Sequence, residues 1–300
     1  MEDVIKTEGL TKHYGRAVGV EGLDLEVKQG EVFGFLGPNG AGKTTTIRLL
    51  LDLIRPTKGR ASIFGLDTQR HSIEIKRRLG NLPGELSLYS NLTGEELLTY
   101  LASLRGGVDW TYVNELKDRL DIDITRRISA YSHGMKQKLG LIQALMHRPA
   151  LLILDEPTLG LDPIIQHEFY RLIDEVKAEG RTVFLSSHIL QEVERTCDRV
   201  GIIRQGHLVA VEEIDILKAR AMQQVEIVFA GPVPAEAFGR IPNVRDLSND
   251  GATIRFSVHG HLDEVVKTAA RFPIVDFRTR EPSLEDVFLA YYSKEKAHAL

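Results

Sequence analysis

Near the start of the chain, residues 4–10 and 18–27 read as strands, with apolar and polar positions alternating over 23–27. Tyr14 falls in the turn expected between them. The run 32–36 is apolar throughout, which predicts a strand buried on both faces. A helix is expected over 45–53, a turn at Pro56-Thr57-Lys58-Gly59 and a short strand over 61–64. The helix expected over 73–79 carries Lys76-Arg77-Arg78 as a solvated face. Thr93-Gly94-Glu95-Glu96 has the form of a capping box, so a helix should start there and run to about residue 104. Helices over 113–120 and 135–146 follow, the last ending before Pro149. The stretch from about 82 to 148 therefore reads as a mostly helical insert between strand-rich halves.

Beyond the insert, strands and helices alternate. Strand 151–154, helix 164–178, strand 182–185 and helix 189–196 lead to strands 199–204 and 207–211, joined by Gln205-Gly206. Such alternation implies an α/β fold, a mainly parallel sheet with helices on both faces. The pattern breaks near Lys218. After the break come strand 225–229, helix 235–240, strands 244–248 and 252–258, helix 262–272 and strand 274–278. That β-α-β-β-α-β order predicts a small α+β, ferredoxin-like domain. Ser283-Leu284-Glu285-Asp286 caps an expected final helix that reaches residue 292. Two domains are thus expected, 1–217 and 218–300.

Composition narrows the function classes. A chain of 300 residues can bury two cores, and 43% hydrophobic with 27% charged residues is ordinary for a globular protein. A net charge of −4 and a pI of about 6.2 supply no basic field, so nucleic acid is not an expected partner. The single cysteine, Cys197, excludes an internal disulfide framework and fits a reducing compartment. Residues 1–8 are polar and charged, unlike a signal peptide, and apolar runs such as 151–154 are far too short to span a bilayer. Work at a membrane would need spans from another polypeptide. His259 and His261 flank Gly260 without an evident third ligand, and read as loop histidines.

The chemistry concentrates in two places. Gly37-Pro38-Asn39-Gly40-Ala41-Gly42-Lys43-Thr44 fits G-x-x-x-x-G-K-[ST] at every fixed position, between a predicted strand and a predicted helix. The glycines let the backbone aim several N–H groups at one phosphate chain, and the helix N-terminus adds partial positive charge. Lys43 can reach the β- and γ-phosphates, and Thr44 can ligate Mg²⁺. A ligand-free glycine-rich turn is the bland alternative, and the strand–loop–helix context weighs against it. Asp155 and Glu156 end the strand 151–154, at the carboxyl end where parallel sheets bind ligands. Asp155 is placed to hold Mg²⁺, directly or through water, and Glu156 to orient or deprotonate a water attacking a γ-phosphate. Alone, the pair would be an acidic turn.

Tyr131-Ser132-His133-Gly134-Met135-Lys136-Gln137 precedes a predicted helix and resembles the signature motif of ATP-binding cassette proteins, commonly Leu-Ser-Gly-Gly-Gln. The phosphate loop, Leu154-Asp155-Glu156, Gly160-Leu161-Asp162 and Ser186-Ser187-His188 follow that family's order and spacing over residues 1 to about 217. The resemblance implies a P-loop ATPase cassette with ATP and Mg²⁺ as ligands. Tyr14 matches the residue that stacks on adenine, and residues 37–45, Thr45 included, match the phosphate loop. Asp155 and Glu156 match the magnesium-site aspartate and the catalytic glutamate, and His188 the switch histidine that contacts the γ-phosphate. Ser132 and Gly134 match residues that contact ATP held by the other subunit, and Asp162 lies in the loop joining the two sites. A head-to-tail pair of cassettes is implied.

Two positions depart from the family pattern. Gly84 stands where a glutamine is usual, with Glu85 beside it, and His133 replaces the first signature glycine, at a cost if that position needs a positive φ. The ending Pro282-Ser283-Leu284-Glu285-Asp286-Val287-Phe288 resembles that of cassettes serving bacterial drug, antibiotic or ion exporters. The implied protein is an exporter ATPase, bound to the cytoplasmic face of the cell membrane through a separate permease. A soluble ATP-driven switch and a regulator with a degraded site are the alternatives.

Overall fold

Strands β1 (Asp3–Tyr14) and β2 (Ala17–Lys28) open the chain as an antiparallel hairpin, and Tyr14 ends β1, paired with Ala17, rather than standing in the turn. There follow β3 (Val32–Leu36), α1 (Lys43–Leu50), β4 (Lys58–Ile63), β5 (Leu66–Asp67), α2 (Ser72–Arg77) and β6 (Leu79–Leu82). The helical insert holds α3 (Gly94–Leu104), α4 (Trp110–Arg119) and α5 (His133–Leu145). Then come β7 (Leu151–Asp155), α6 (Pro163–Ala178), β8 (Thr182–Ser187), α7 (Leu190–Thr196), β9 (Arg199–Arg204) and β10 (His207–Glu213). The structure is a computed structural model that describes residues 2–220, 223–258 and 262–280. The helix expected over 283–292 and the pair His259 and His261 lie outside the described residues.

The expected parallel sheet is six-stranded, in the order β10-β9-β3-β8-β7-β6. Its central strands β3, β7 and β8 are buried at every position, as strands covered on both faces must be. A second, four-stranded antiparallel sheet, β2-β1-β4-β5, was not separated from it by pattern alone. One apolar core joins the inward faces of β1 and β2, the buried side of α1 and one face of the larger sheet, including Phe33, Phe35 and Phe184. On the rest of the sheet α5 packs on β6, α6 on β8 and α7 on β3.

The helix expected over 73–79 is shorter: α2 stops at Arg77, and Leu79–Leu82 is an edge strand parallel to β7. Four residues are too few to show a period. Gly80 belongs to this strand because α5 presses on it: a Cβ there would lie 2.1 Å from the Ala144 carbonyl oxygen. In the insert the capping box forms as read, with Glu96 N–H donating to Thr93 Oγ1 at 3.1 Å and Thr93 N–H to Glu96 Oε2 at 2.7 Å. Arg119 on α4 ties the insert to α6: its guanidinium donates to Glu168 at 2.5 Å and to both Glu175 oxygens at 2.7 and 2.8 Å.

The chain divides after Glu212 into two compact units, somewhat before Lys218, and helix α8 (Ile214–Arg220) falls in the second. That unit runs β11 (Gln223–Phe229), α9 (Glu236–Gly239), β12 (Val244–Asp250), β13 (Thr253–Val258), α10 (Asp263–Ala269) and β14 (Ile274–Arg280). Its sheet has the order β12-β13-β11-β14 with every pair antiparallel. Alternate residues of β11, Val225, Ile227 and Phe229, face Phe238 of α9 and Val265 of α10 in a core of their own.

The close apposition of β6 and α5 predicts an asymmetric response to alanine. Gly80→Ala should lower unfolding stability by roughly 1–3 kcal/mol through overpacking, whereas Gly231→Ala, with nothing within 4 Å of the added Cβ, should not. Denaturant unfolding of both variants is the measurement, and equal midpoints would contradict the packing described.

Candidate active site

Register decides where the candidate residues meet. Leu36 of β3 pairs with Ser187 of β8, Asp155 of β7 with Ser186, and Leu82 of β6 with Leu154. Parallel strands in register end side by side, so the loops that leave them emerge together. These are the loop after Leu36, the Asp155-Glu156 pair, His188 and the Pro83-Gly84-Glu85 turn. They open into a cavity of about 530 Å³ lined by Tyr14, Pro38, Asn39, Gly40, Gly42, Lys43, Thr44 and Thr45, and also by Gly84, Glu85, Asp155 and Glu156.

The glycine loop can be followed atom by atom. A Cβ at Gly37 would lie 2.3 Å from the Ile203 carbonyl oxygen, and one at Gly42 2.6 Å from that of Gly19. Gly42 also has a φ of 113°, the left-handed start from which α1 departs. Ala41 is buried beneath the loop. Lys43, 6% exposed, folds back so that Nζ donates to the Gly37 carbonyl oxygen at 2.6 Å and to that of Pro38 at 3.3 Å. The same ammonium lies 3.2 Å from Glu156 Oε1.

Asp155 is 1% exposed and both its oxygens are engaged. Oδ2 accepts from Thr44 Oγ1 at 2.8 Å and Oδ1 accepts from Ser186 Oγ. Buried carboxylates need such donors. A hydroxyl and a carboxylate adjacent at the loop mouth are hard oxygen donors, a set that fits Mg²⁺. Gly84 abuts this group: a Cβ there would meet Asp155 Oδ2 at 2.9 Å, so the smallest residue lets the turn lie against the carboxylate, with Glu85 beside it on the cavity wall.

Glu156 has a φ of 51°, which costs a non-glycine residue of the order of 1 kcal/mol or more. The conformation is held from both sides. Its N–H donates to the Ser186 carbonyl oxygen at 3.1 Å, and the buried Gln137 amide donates to the carbonyl oxygens of Glu156 and Pro157 at 3.1 and 3.0 Å. Its carboxylate accepts from His188 Nδ1 at 2.7 Å while the other oxygen faces Lys43. The site thus occupies its own acid with a lysine and a histidine.

Ser132, Gly134 and Asp162 do not join the cavity. Ser132 caps α5, accepting from Met135 N–H at 3.3 Å, and Asp162 caps α6, accepting from Ile165 N–H at 3.0 Å. Gly134 lies under the neighbouring loop, where a Cβ would meet the Gly160 carbonyl oxygen at 2.6 Å. His133 begins α5 and is absent from the positive-φ positions among the described residues, so the strain weighed for it does not arise. Its ring covers Gly160 instead, 2.4 Å from where a Cβ would stand. Gln137, Ser186, Thr158 and Glu192 were given no role from sequence. Gln137 follows the Ser132 cap by little more than a helical turn, a spacing that turns it inward.

Residues 20–159 match the ABC transporter family. The bacitracin transport ATP-binding protein of Enterococcus faecalis is 38% identical over 96% of both chains, and its namesake in Bacillus licheniformis is 45% identical over 75% of each. A solved ATP-binding subunit of an ABC transporter, 32% identical, superposes with a TM-score of 0.66 over 72% of this chain and 92% of its own. This chain belongs to the ABC transporter family as one of its ATP-binding, ATP-hydrolysing subunits.

Proposed function

We propose that this protein is the ATP-driven motor of a bacterial-type exporter, working as a pair of cassettes against a separate permease. The observation that carries the reading is the contact of Lys43 and His188 with the two oxygens of Glu156 at the mouth of the phosphate loop. Each group is one that a γ-phosphate attracts. Bound ATP draws Lys43 off the Gly37 and Pro38 carbonyls and off Glu156, and turns His188 toward the same phosphate. The Glu156 carboxylate, freed of both, accepts a proton from the water whose oxygen attacks the γ-phosphorus as the bond to the β-phosphate oxygen breaks. The oxygens of Thr44 and Asp155 would hold Mg²⁺, which would offset phosphate charge. Tyr14, 48% exposed at the cavity rim, offers its ring to adenine.

The half-sites support a second copy. Ser132 and Gly134 sit outside the cavity lining, beside the loop and the start of α6 that expose Leu159 at 44% and Ile164 at 80%. A twin cassette docked there would cover this apolar surface and bring its own ATP to Ser132, with Asp162 between the two sites. The permease is a further partner. No helix among the described residues is long and apolar enough to cross a membrane. The insert exposes Tyr89 and Tyr100, in edge-to-face contact at 6.2 Å, as a landing for a cytoplasmic segment of such a partner. On this reading the protein is a peripheral subunit that works at the cytoplasmic face of the membrane through its permease. The bacitracin transport names of the relatives support export, and the second unit supports pairing or permease regulation without nucleotide chemistry.

Three substitutions test the assignments. Purified protein should hydrolyse MgATP, and Lys43→Ala should reduce turnover to background; Mg-dependent hydrolysis persisting in the variant would refute the loop's role. Glu156→Gln should bind ATP and accumulate as a closed dimer, because only the water-activating carboxylate is lost. Light scattering with ATP reads this, and a monomeric variant with normal turnover would remove Glu156 from the mechanism. His133→Gly should keep turnover, since the imidazole makes no hydrogen bond among the described residues. A fall beyond about tenfold, or 1.4 kcal/mol of barrier, would show that the ring takes part.

A further inference from the structure

Glu192 is on α7, one helical turn past His188, and is 1% exposed. An acid so placed is expensive, and an apolar side chain of the same volume would fill the space at lower cost. Burial pushes its carboxyl up to about 7, against the pull of the Ser187 and Thr158 hydroxyls. Thr158 acts on the group without closing a well-formed hydrogen bond, and Oε1 has no partner among the described residues. What Oε2 does is specific. It accepts the Ser187 hydroxyl proton at 2.5 Å, and with that proton committed the same hydroxyl oxygen accepts Ile189 N–H at 2.9 Å. The two bonds wrap residues 187–189 around one buried oxygen. His188, between them, is left facing outward onto Glu156.

Resting on the proposed role of His188, we propose that Glu192 is a positioning residue for hydrolysis: by taking the Ser187 hydroxyl proton it sets the backbone that aims His188 into the active site. The carboxyl meets no nucleotide. Its influence passes through Ser187 to the histidine, so one buried acid braces the loop that carries His188 beside Glu156.

The test uses the full-length protein and steady-state ATP hydrolysis. Glu192→Gln keeps an oxygen for the Ser187 proton and should hold kcat within about threefold, whereas Glu192→Leu should lower kcat by about tenfold or more with KM for ATP within about threefold. Ser187→Ala, a small truncation, should reproduce the Leu phenotype, and the double variant should fall no further than either single one. Full kcat in Ser187→Ala, equal losses in Gln and Leu variants, or additive losses in the double would overturn the proposal. If the Leu variant does not fold, Ser187→Ala decides alone. His188→Ala separates the two readings. Full turnover there defeats the assignment of His188, whereas its inactivity beside a fully active Ser187→Ala defeats only the bracing role.

Discussion

The parallel, in-register pairing of β6, β7, β8 and β3 is the constraint on which the rest of the molecule depends. Strands buried on both faces admit no polar side chain along their length, so chemistry is displaced to where they end. There the register brings residues far apart in sequence to one row: Lys43, Glu85, Asp155 and His188 leave neighbouring strands within reach of one cavity. The second, antiparallel sheet and α1 close one side of this arrangement with a shared apolar core, and α5, α6 and α7 close the other.

Crowding two carboxylates at a strand end carries an electrostatic cost, and the loops around them answer it differently. Asp155 is fully buried and takes two hydroxyl protons, from Thr44 and Ser186. Glu156 is turned out by its left-handed φ, and meets the Lys43 ammonium and a hydrogen bond from His188 instead. In the proposed mechanism, ATP competes with Glu156 for Lys43, so the phosphate that binds the lysine also releases the acid. The same principle extends to close approach. Gly37, Gly42 and Gly84 stand where a carbonyl or carboxylate oxygen comes within 3 Å of a would-be Cβ, so the tight packing of the site is written into its smallest residues.

The site is held together from behind as much as from within. Gln137 reaches from α5 to the carbonyls of Glu156 and Pro157, and Glu192 reaches from α7 to the loop of His188. Arg119 links the helical insert to α6, whose N-cap Asp162 begins the helix beside the Gly134–Gly160 contact.

Local chemistry determined a good part of this protein from sequence alone. Thr93 and Glu96 cap a helix because each reaches the other's N–H across one turn, and glycines at 40 and 42 shape the loop after β3 through backbone freedom. The β-α-β-β-α-β order of the second unit was legible because each element there has its own period. What lay beyond reach depended on partners distant along the chain. Leu79–Leu82 is a strand only because β7 pairs with it and α5 covers it. His133 escapes strain because Ser132 starts the helix before it. Glu192 reads as one more charged helix residue, and only the fold, by burying it behind Ser187, turns that charge inward, since burial is decided by which elements close over a side chain and not by its neighbours in sequence.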